Sequence, residues 1–197
     1  MPTTPTRKEA THERILDIAA AAIRSTGFQG TGVADIMKQA GLTHGGFYAH
    51  FESREALLAE ALQRAQRESG EKLQRSVSAR RSRGASPLRA LVESYLSDRH
   101  LRDTECGCPV AALVSDMPRQ APRVRDVAAQ NVQGLLAEVG RALPIGQPRA
   151  AAAVVASQLV GALQLGRALG DNAEGRAVLA AARQALLDQY DVPSASP

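Results

Sequence analysis

Tryptophan is absent from the sequence, and three tyrosines and three phenylalanines leave it only 3% aromatic. Cysteine is scarce too: Cys106 and Cys108 are the only two, one residue apart. That spacing is too short for ordinary disulfide geometry, so a disulfide scaffold is excluded. No convincing run of alternating β-branched residues is present, which argues against a sheet and for an all-α protein. The opening "MPTTPTRKEATHERI" has no apolar signal region, and the Ala-rich stretch 150–163 is interrupted by Ser157, Gln158 and Gly161. No uninterrupted apolar run is long enough to cross a bilayer, so a soluble, cytoplasmic protein without a membrane partner is expected. Ser-His-Asp, P-loop and Rossmann patterns are lacking. Cys-x-Cys has no further Cys and no His nearby other than His100, so no metal or other cofactor is expected.

What is present is helical periodicity over nearly the whole chain. The 197 residues suffice for one large domain, or for a small one fused to a larger one. Ile15, Ile18, Ala19, Ala22 and Ile23 form one apolar stripe of a first helix, about Arg7 to Thr26, with Gly27 as its C-cap and Phe28 as an anchor. A short second helix spans Val33 to Ala40 and stops at Gly41. Thr43 is placed to cap a third, 44–50, and Ser53 a long fourth that runs toward Leu73. The Arg-rich, glycine-broken "ARRSRGASP", 79–87, ends this part, and Ser86 with Pro87 opens a fresh helix. Pro109, Pro122 and Pro148 each precede a further helical stripe, a last helix covers about 174–189, and "DVPSASP" reads as a disordered tail. About nine helices are expected.

Charge is distributed unevenly. Residues 1–83 hold 13 Lys and Arg against 9 Asp and Glu, whereas residues 84–197 hold 11 of each, so the net +4 is N-terminal. A basic head on a neutral body suits a polyanion partner.

The aromatics are as uneven as the charge: "LTHGGFYAHF", 42–51, contains two phenylalanines, a tyrosine, two histidines and two glycines. Two short helices joined by a Gly-containing turn form a helix-turn-helix whose second helix enters the DNA major groove. Phe47 and Phe51, four apart, share a face that packs on Ile15, Ile18, Ile36 and Met37. Thr43, His44, Gly46, Tyr48 and His50 are left outside as phosphate and base-edge ligands. Each glycine costs roughly 1 kcal/mol relative to Ala in a helix interior, and close approach of DNA to the backbone would offset that cost.

These residues carry a family resemblance. "GFQGTGVADIMKQAGLTHGGFYAHFESREALLAEAL", 27–62, resembles the DNA-binding segment of the TetR family of bacterial transcriptional regulators: glycine-aromatic after helix one, "AGLT" at the turn, "FYAHF" in the recognition helix, "SREALL" opening helix four. The resemblance implies a homodimer with two N-terminal heads that binds palindromic operator DNA, most often as a repressor released by an effector. Thr43, His44, Gly45, Gly46, Tyr48 and His50 match the family's DNA-contacting positions, and Arg54 stands where members have a phosphate-contacting Lys. The expected division is a DNA-binding domain 1–53, an effector-binding and dimerisation domain 54–190, and the tail 191–197. Two departures stand out. Gly32 occupies a cap position where Ser or Thr is common, and His44 is the only long base-reading side chain near the recognition helix start. Sequence preference would then draw on DNA shape and backbone contacts as well as direct readout.

For the body the resemblance transfers no effector motif. Small residues on the last two helices, among them Ala151, Ala156, Ala162, Ala177 and Ala181, suggest a two-fold dimer through about 150–188. In "ECGCPVAAL", Cys108 sits at a helix start that favours a thiolate, with Cys106 a possible partner to another thiol; family members with a similar Gly-Cys respond to electrophiles or oxidants. The alternative for Cys108 is a small buried apolar residue. For an organic effector the candidates are Tyr95, His100, Asp116, Asn131, Gln158 and Gln164, expected between the fifth and eighth helices. Two other functions are compatible with the residues: a small thiol-dependent oxidoreductase using Cys106 and Cys108, and a helical adaptor without sequence-specific DNA binding. The second leaves Thr43–His50 unexplained.

Overall fold

A computed structural model describes residues 6–148 and 150–191. Among these residues there are nine α-helices and no strand: α1 Arg7–Gly30, α2 Val33–Gln39, α3 Arg54–Arg81, α4 Pro87–Tyr95, α5 Asp98–Arg102, α6 Pro109–Leu113, α7 Pro122–Ala142, α8 Ala151–Leu169 and α9 Ala173–Tyr190. Two 3₁₀ helices, His44–Ala49 and Met117–Arg119, complete the order. The all-α expectation holds. The third expected helix is the first of these 3₁₀ segments, while the short α5 had no sequence expectation. The tail expected at 191–197 lies, beyond Asp191, outside the described residues.

Local chemistry accounts for most boundaries. Thr6 and Glu9 form a capping box at the start of α1: the Glu9 amide donates to Thr6 Oγ1 at 3.2 Å and the Thr6 amide to Glu9 Oε2 at 2.7 Å. Gly27 breaks α1 with φ 75°, as expected, but the chain makes one further turn through Phe28 before stopping at Gly30. Thr31 secures that turn by donating from Oγ1 to the Gly27 carbonyl at 2.8 Å. Ser53 caps α3 by accepting from the Ala56 amide at 3.0 Å, and Ser86 caps α4 by accepting from the Arg89 amide at 3.0 Å. Thr43 differs: its side chain makes no cap hydrogen bond, and the 3₁₀ segment closes through the Gly46 amide onto the Thr43 carbonyl at 3.0 Å. Gly32 likewise offers α2 no side-chain cap. Past Pro148, the helix itself begins at Ala151.

The described chain divides into two compact units, residues up to 69 with 105–131, and 70–104 with 132 onward. The first unit surrounds a core of Ile15, Ile23, Phe28, Ile36, Met37, Phe47, Phe51, Leu57 and Leu62, to which Leu113, Met117, Val124 and Val127 also belong. Arg24 is buried in it, its Nη1 donating to the Ala65 carbonyl at 3.2 Å and its Nη2 paired with Glu68 at 2.7 Å. Arg64 ties α3 to α1 through Glu13 and Asp17.

In the second unit α8 and α9 pack along each other, with α4 on α9 and α5 on α8. Backbones meet where the two long helices converge: a Cβ added at Gly175 would lie 2.1 Å from the Gly170 carbonyl oxygen and 2.8 Å from that of Gly166. The short α4 and α5 leave C-terminal carbonyls that long cationic side chains satisfy. Arg183 of α9 donates to the Leu96 carbonyl at 2.7 Å, and Arg167 of α8 to those of His100 and Asp103 at 2.8 and 3.0 Å. By length and composition alone α8 reaches the level of a membrane span, with a mean hydropathy of 1.3, because Ser157, Gln158 and Gly161 do not offset its Ala, Val and Leu content. Its buried positions, Ala151, Val155, Leu159, Ala162 and Leu163, recur at core-helix spacing.

Candidate nucleic-acid interface

The turn between α2 and the recognition segment is built by Gly41, whose φ of 70° few residues other than glycine adopt. Its amide donates to the Lys38 carbonyl at 3.0 Å, and the Leu42 amide to that of Met37 at 2.9 Å, a Schellman closure of α2. Phe47 then turns inward and stacks on Phe51 at a ring separation of 5.7 Å, while Tyr48 meets Phe47 edge-on at 5.2 Å and remains 72% exposed. Thr43, His44 and Gly45 are exposed beside it. The expected division into a core pair and an outer set therefore holds for these residues.

The glycine pair has no internal cause. Neither Gly45 nor Gly46 takes a positive φ. A Cβ at Gly45 would meet nothing within 4 Å, and one at Gly46 would make ordinary contacts with Met37 and Thr43 at 3.8 Å. Nothing in the fold asks for glycine at either position.

His50 and Arg54 depart from the simple outer set. The His50 ring is half-buried, 6.2 Å from that of His12, and its Nδ1 is buried with no hydrogen-bond partner among the described residues. Burial holds its pKa below the usual histidine value, and the nearby His12 and Lys8 add to that. His50 is thus neutral near pH 7, and Nδ1 is closed to an outside ligand; it turns inward because His12 and Phe51 offer it an aromatic neighbourhood. His12 is itself stacked on Phe51 at 4.6 Å and donates from Nε2 to Glu60 at 3.0 Å. Arg54 is exposed, but its Nη2 donates to the carbonyls of Phe28 and Thr31 at 2.5 and 3.3 Å, closing the end of α1. Sequence spacing gave no sign of this second role.

Comparison with known proteins bears on the whole chain. Residues 15–61 match the model of the bacterial regulatory proteins of the tetR family, and residues 84–185 match the tetracyclin repressor-like C-terminal domain. The chain belongs to the TetR family. TetR-family proteins are transcriptional regulators that bind operator DNA and typically dimerise, so this chain is a DNA-binding regulator and the oxidoreductase reading is set aside. An HTH-type transcriptional regulator of Mycobacterium tuberculosis, Rv0196, is 29% identical over 170 residues, covering 81% of this chain and 85% of that one. The HTH-type transcriptional repressor KstR2 of Mycolicibacterium smegmatis is 34% identical over 61 residues, 31% of this chain and 30% of its own. Among solved structures, the reduced form of E. coli NemR superposes with a TM-score of 0.74 at 20% identity over 94% of this chain and 99% of that one. A TetR-family regulator from Cytophaga hutchinsonii gives 0.76 at 17% identity over 98% and 100%. Both show the fold.

The effector candidates of this TetR-family chain do not gather at one place. In the second unit Tyr95 and His100 meet edge-on at 4.9 Å, and His100 Nδ1 donates to the Tyr95 carbonyl at 2.7 Å, which fixes the ring tautomer. Burial pushes the His100 pKa down to about 4, outweighing the upward pull of the Tyr95 carbonyl. Gln164 is half-buried and Gln158 exposed. Asp116, Asn131, Cys106 and Cys108 belong to the first unit. There Asp116 pairs with Arg119, and buried Asn131 donates to the Leu62 carbonyl at 3.5 Å, roles that serve the fold. Cys106 and Cys108 are both thiols; Cys106 is half-buried, and Cys108 is 8% exposed at the start of α6, the buried apolar position given as its alternative from the sequence. Cys108 is buried because Pro109, Val110 and Ala111 carry the start of α6 into the interior. No group of three or more His, Cys, Asp and Glu side chains suited to a metal occurs among the described residues.

Proposed function

We propose that this TetR-family regulator is a homodimeric repressor that works in the cytoplasm, reads a palindromic operator through Thr43–Tyr48, and leaves it when an effector binds the body. The observation that carries the reading is the glycine pair: Gly45 is exposed and Gly46 half-buried beside it in the recognition segment, and the fold supplies no reason for either. Missing side chains permit close backbone approach by DNA, with the Thr43, Tyr48 and His44 side chains as phosphate and base-edge ligands around it. Arg54 adds a phosphate contact from its exposed position. His50 contributes by supporting Phe51 and His12, and reaches DNA only through Nε2.

Dimerisation is assigned to α8 and α9 in the range 150–188. Val154, Leu165 and Leu169 on α8 are 45%, 61% and 45% exposed, and Ala177, Ala180, Ala181 and Ala185 on α9 are exposed at helical spacing. A second copy would cover both rows and allow the close packing that small residues give. Functionally, residues 1–53 form the DNA-binding domain and 54–190 the effector-binding and dimerisation domain. Release requires an effector with higher affinity for the conformation that does not bind DNA. Thiol modification is a second route, favoured by the half-buried position of Cys106. The test is selection of bound fragments from genomic DNA: an inverted repeat bound far more tightly than random DNA, with a steep salt dependence, is expected. Binding without sequence enrichment would favour the adaptor reading instead.

A further inference from the structure

The second unit contains an open groove of about 450 Å³ between the C-terminal part of α3, the start of α4 and the end of α7. This is near the small end of the range for ligand pockets, about 300–1,000 Å³. None of the effector candidates named from the sequence lines it. Its polar rim carries Arg81 and Arg141, and its remaining polar lining includes Glu138, Gln74 and Ser78. Val77, Leu91, Pro87 and Ala142 make the rest apolar.

Three of the polar groups are hydrogen-bonded in place. Gln74 donates from Nε2 to Glu138 Oε1 at 2.6 Å, and Arg81 donates from Nη1 to the Ala85 carbonyl at 3.2 Å. Two guanidinium groups and one carboxylate line the groove, an excess of one positive charge. A monoanion balances that excess; a dianion reverses it and brings a second charge against Glu138. Burial of Glu138 pushes its carboxyl up, against the downward pull of Gln74 and Arg141, and an added negative charge would push it further. Arginine forks match the geometry of a planar carboxylate. An apolar wall beside them suits a hydrocarbon body.

We propose that this groove binds a small amphipathic organic monocarboxylate, its carboxylate on Arg81 and Arg141 and its hydrocarbon body along Val77, Pro87 and Leu91. As a binding site the groove is independent of the repressor reading. As the site of the effector it rests on that reading.

Titration calorimetry on the full chain tests it, with octanoate as probe and octanol, octylamine and inorganic phosphate as comparators. Saturable octanoate binding is expected, weakened at least tenfold in Arg81→Gln and in Arg141→Gln, with octanol and octylamine at least tenfold weaker. Ser78→Glu, at an exposed groove position, should abolish binding while leaving both arginines and the melting temperature in place. No saturable octanoate binding, or binding that none of the three substitutions moves, overturns the proposal. Phosphate binding as tight as that of octanoate also overturns it, since the groove would then be a general anion site. Operator binding measured in parallel separates the two layers: octanoate that occupies the groove and leaves DNA affinity unchanged keeps the site and removes its assignment as effector site.

Discussion

Arg54 exemplifies a residue whose two roles can be separated. Its guanidinium closes the end of α1 through two carbonyls, in addition to the phosphate contact assigned to it. Arg54→Ala should cost about 1–2 kcal/mol of stability and weaken DNA binding; calorimetric melting together with operator titration measures both. An unchanged melting temperature would reduce Arg54 to a surface ligand. His100 supplies a prediction in pH. Its folded pKa of about 4 lies below the ordinary 6.5, so the unfolded chain takes up the proton first as the solution is acidified. The contribution of neutral His100 is therefore complete above about pH 6.5 and is lost between there and about pH 4. His100→Asn should flatten that part of a denaturation-versus-pH curve relative to the parent protein; superimposable slopes would mean that His100 is not buried in the neutral form.

At the scale of elements, the helices follow their apolar periodicity and their caps closely. Ser53, Ser86 with Pro87, Pro109 and Pro122 mark helix starts where the sequence places them, because the serines accept from amides three residues on and each proline fixes its own φ and removes an amide that would go unpaired. What the sequence leaves hidden is fixed by partners far along the chain. Arg167 reaching His100 and Arg183 reaching Leu96 close helix ends that local spacing leaves unpaired, and Arg24 reaching Ala65 ties α1 to the middle of α3. Thr43 shows the converse, since a good local cap signal is overridden where two glycines relax the segment into a 3₁₀ helix. In the candidate site, Phe47, Tyr48 and the exposed helix start were legible from spacing, whereas the inward turn of His50 depends on His12, 38 positions away. Gly175 gives a test of this packing. Its added Cβ would run into backbone oxygens that have no rotamer to yield, so Gly175→Ala should destabilise by about 1–3 kcal/mol, and a chemical denaturation midpoint equal to the parent's would contradict the close approach of α8 and α9.

At the scale of the whole molecule, TetR-family regulators bind operator DNA and typically dimerise, and the proposed homodimer would place its second copy on the uncovered rows of α8 and α9. Leu165→Glu places a charge on the most exposed apolar position of α8 and should yield a monomer by light scattering, with operator affinity falling at least tenfold through the loss of paired half-site contacts. A dimer of unchanged stability would move the interface elsewhere. Confinement of the net positive charge to residues 1–83 fits a head that meets the DNA polyanion.

The central claim is that the recognition face is shaped for DNA at the expense of local helix stability. Gly45→Leu tests it most directly, because a side chain there meets nothing in the protein and only an external surface would object. Melting temperature and operator affinity are measured on the same preparation. The account predicts a melting temperature equal to or above the parent's with operator affinity reduced at least tenfold; full operator affinity in a stable Gly45→Leu protein would contradict it.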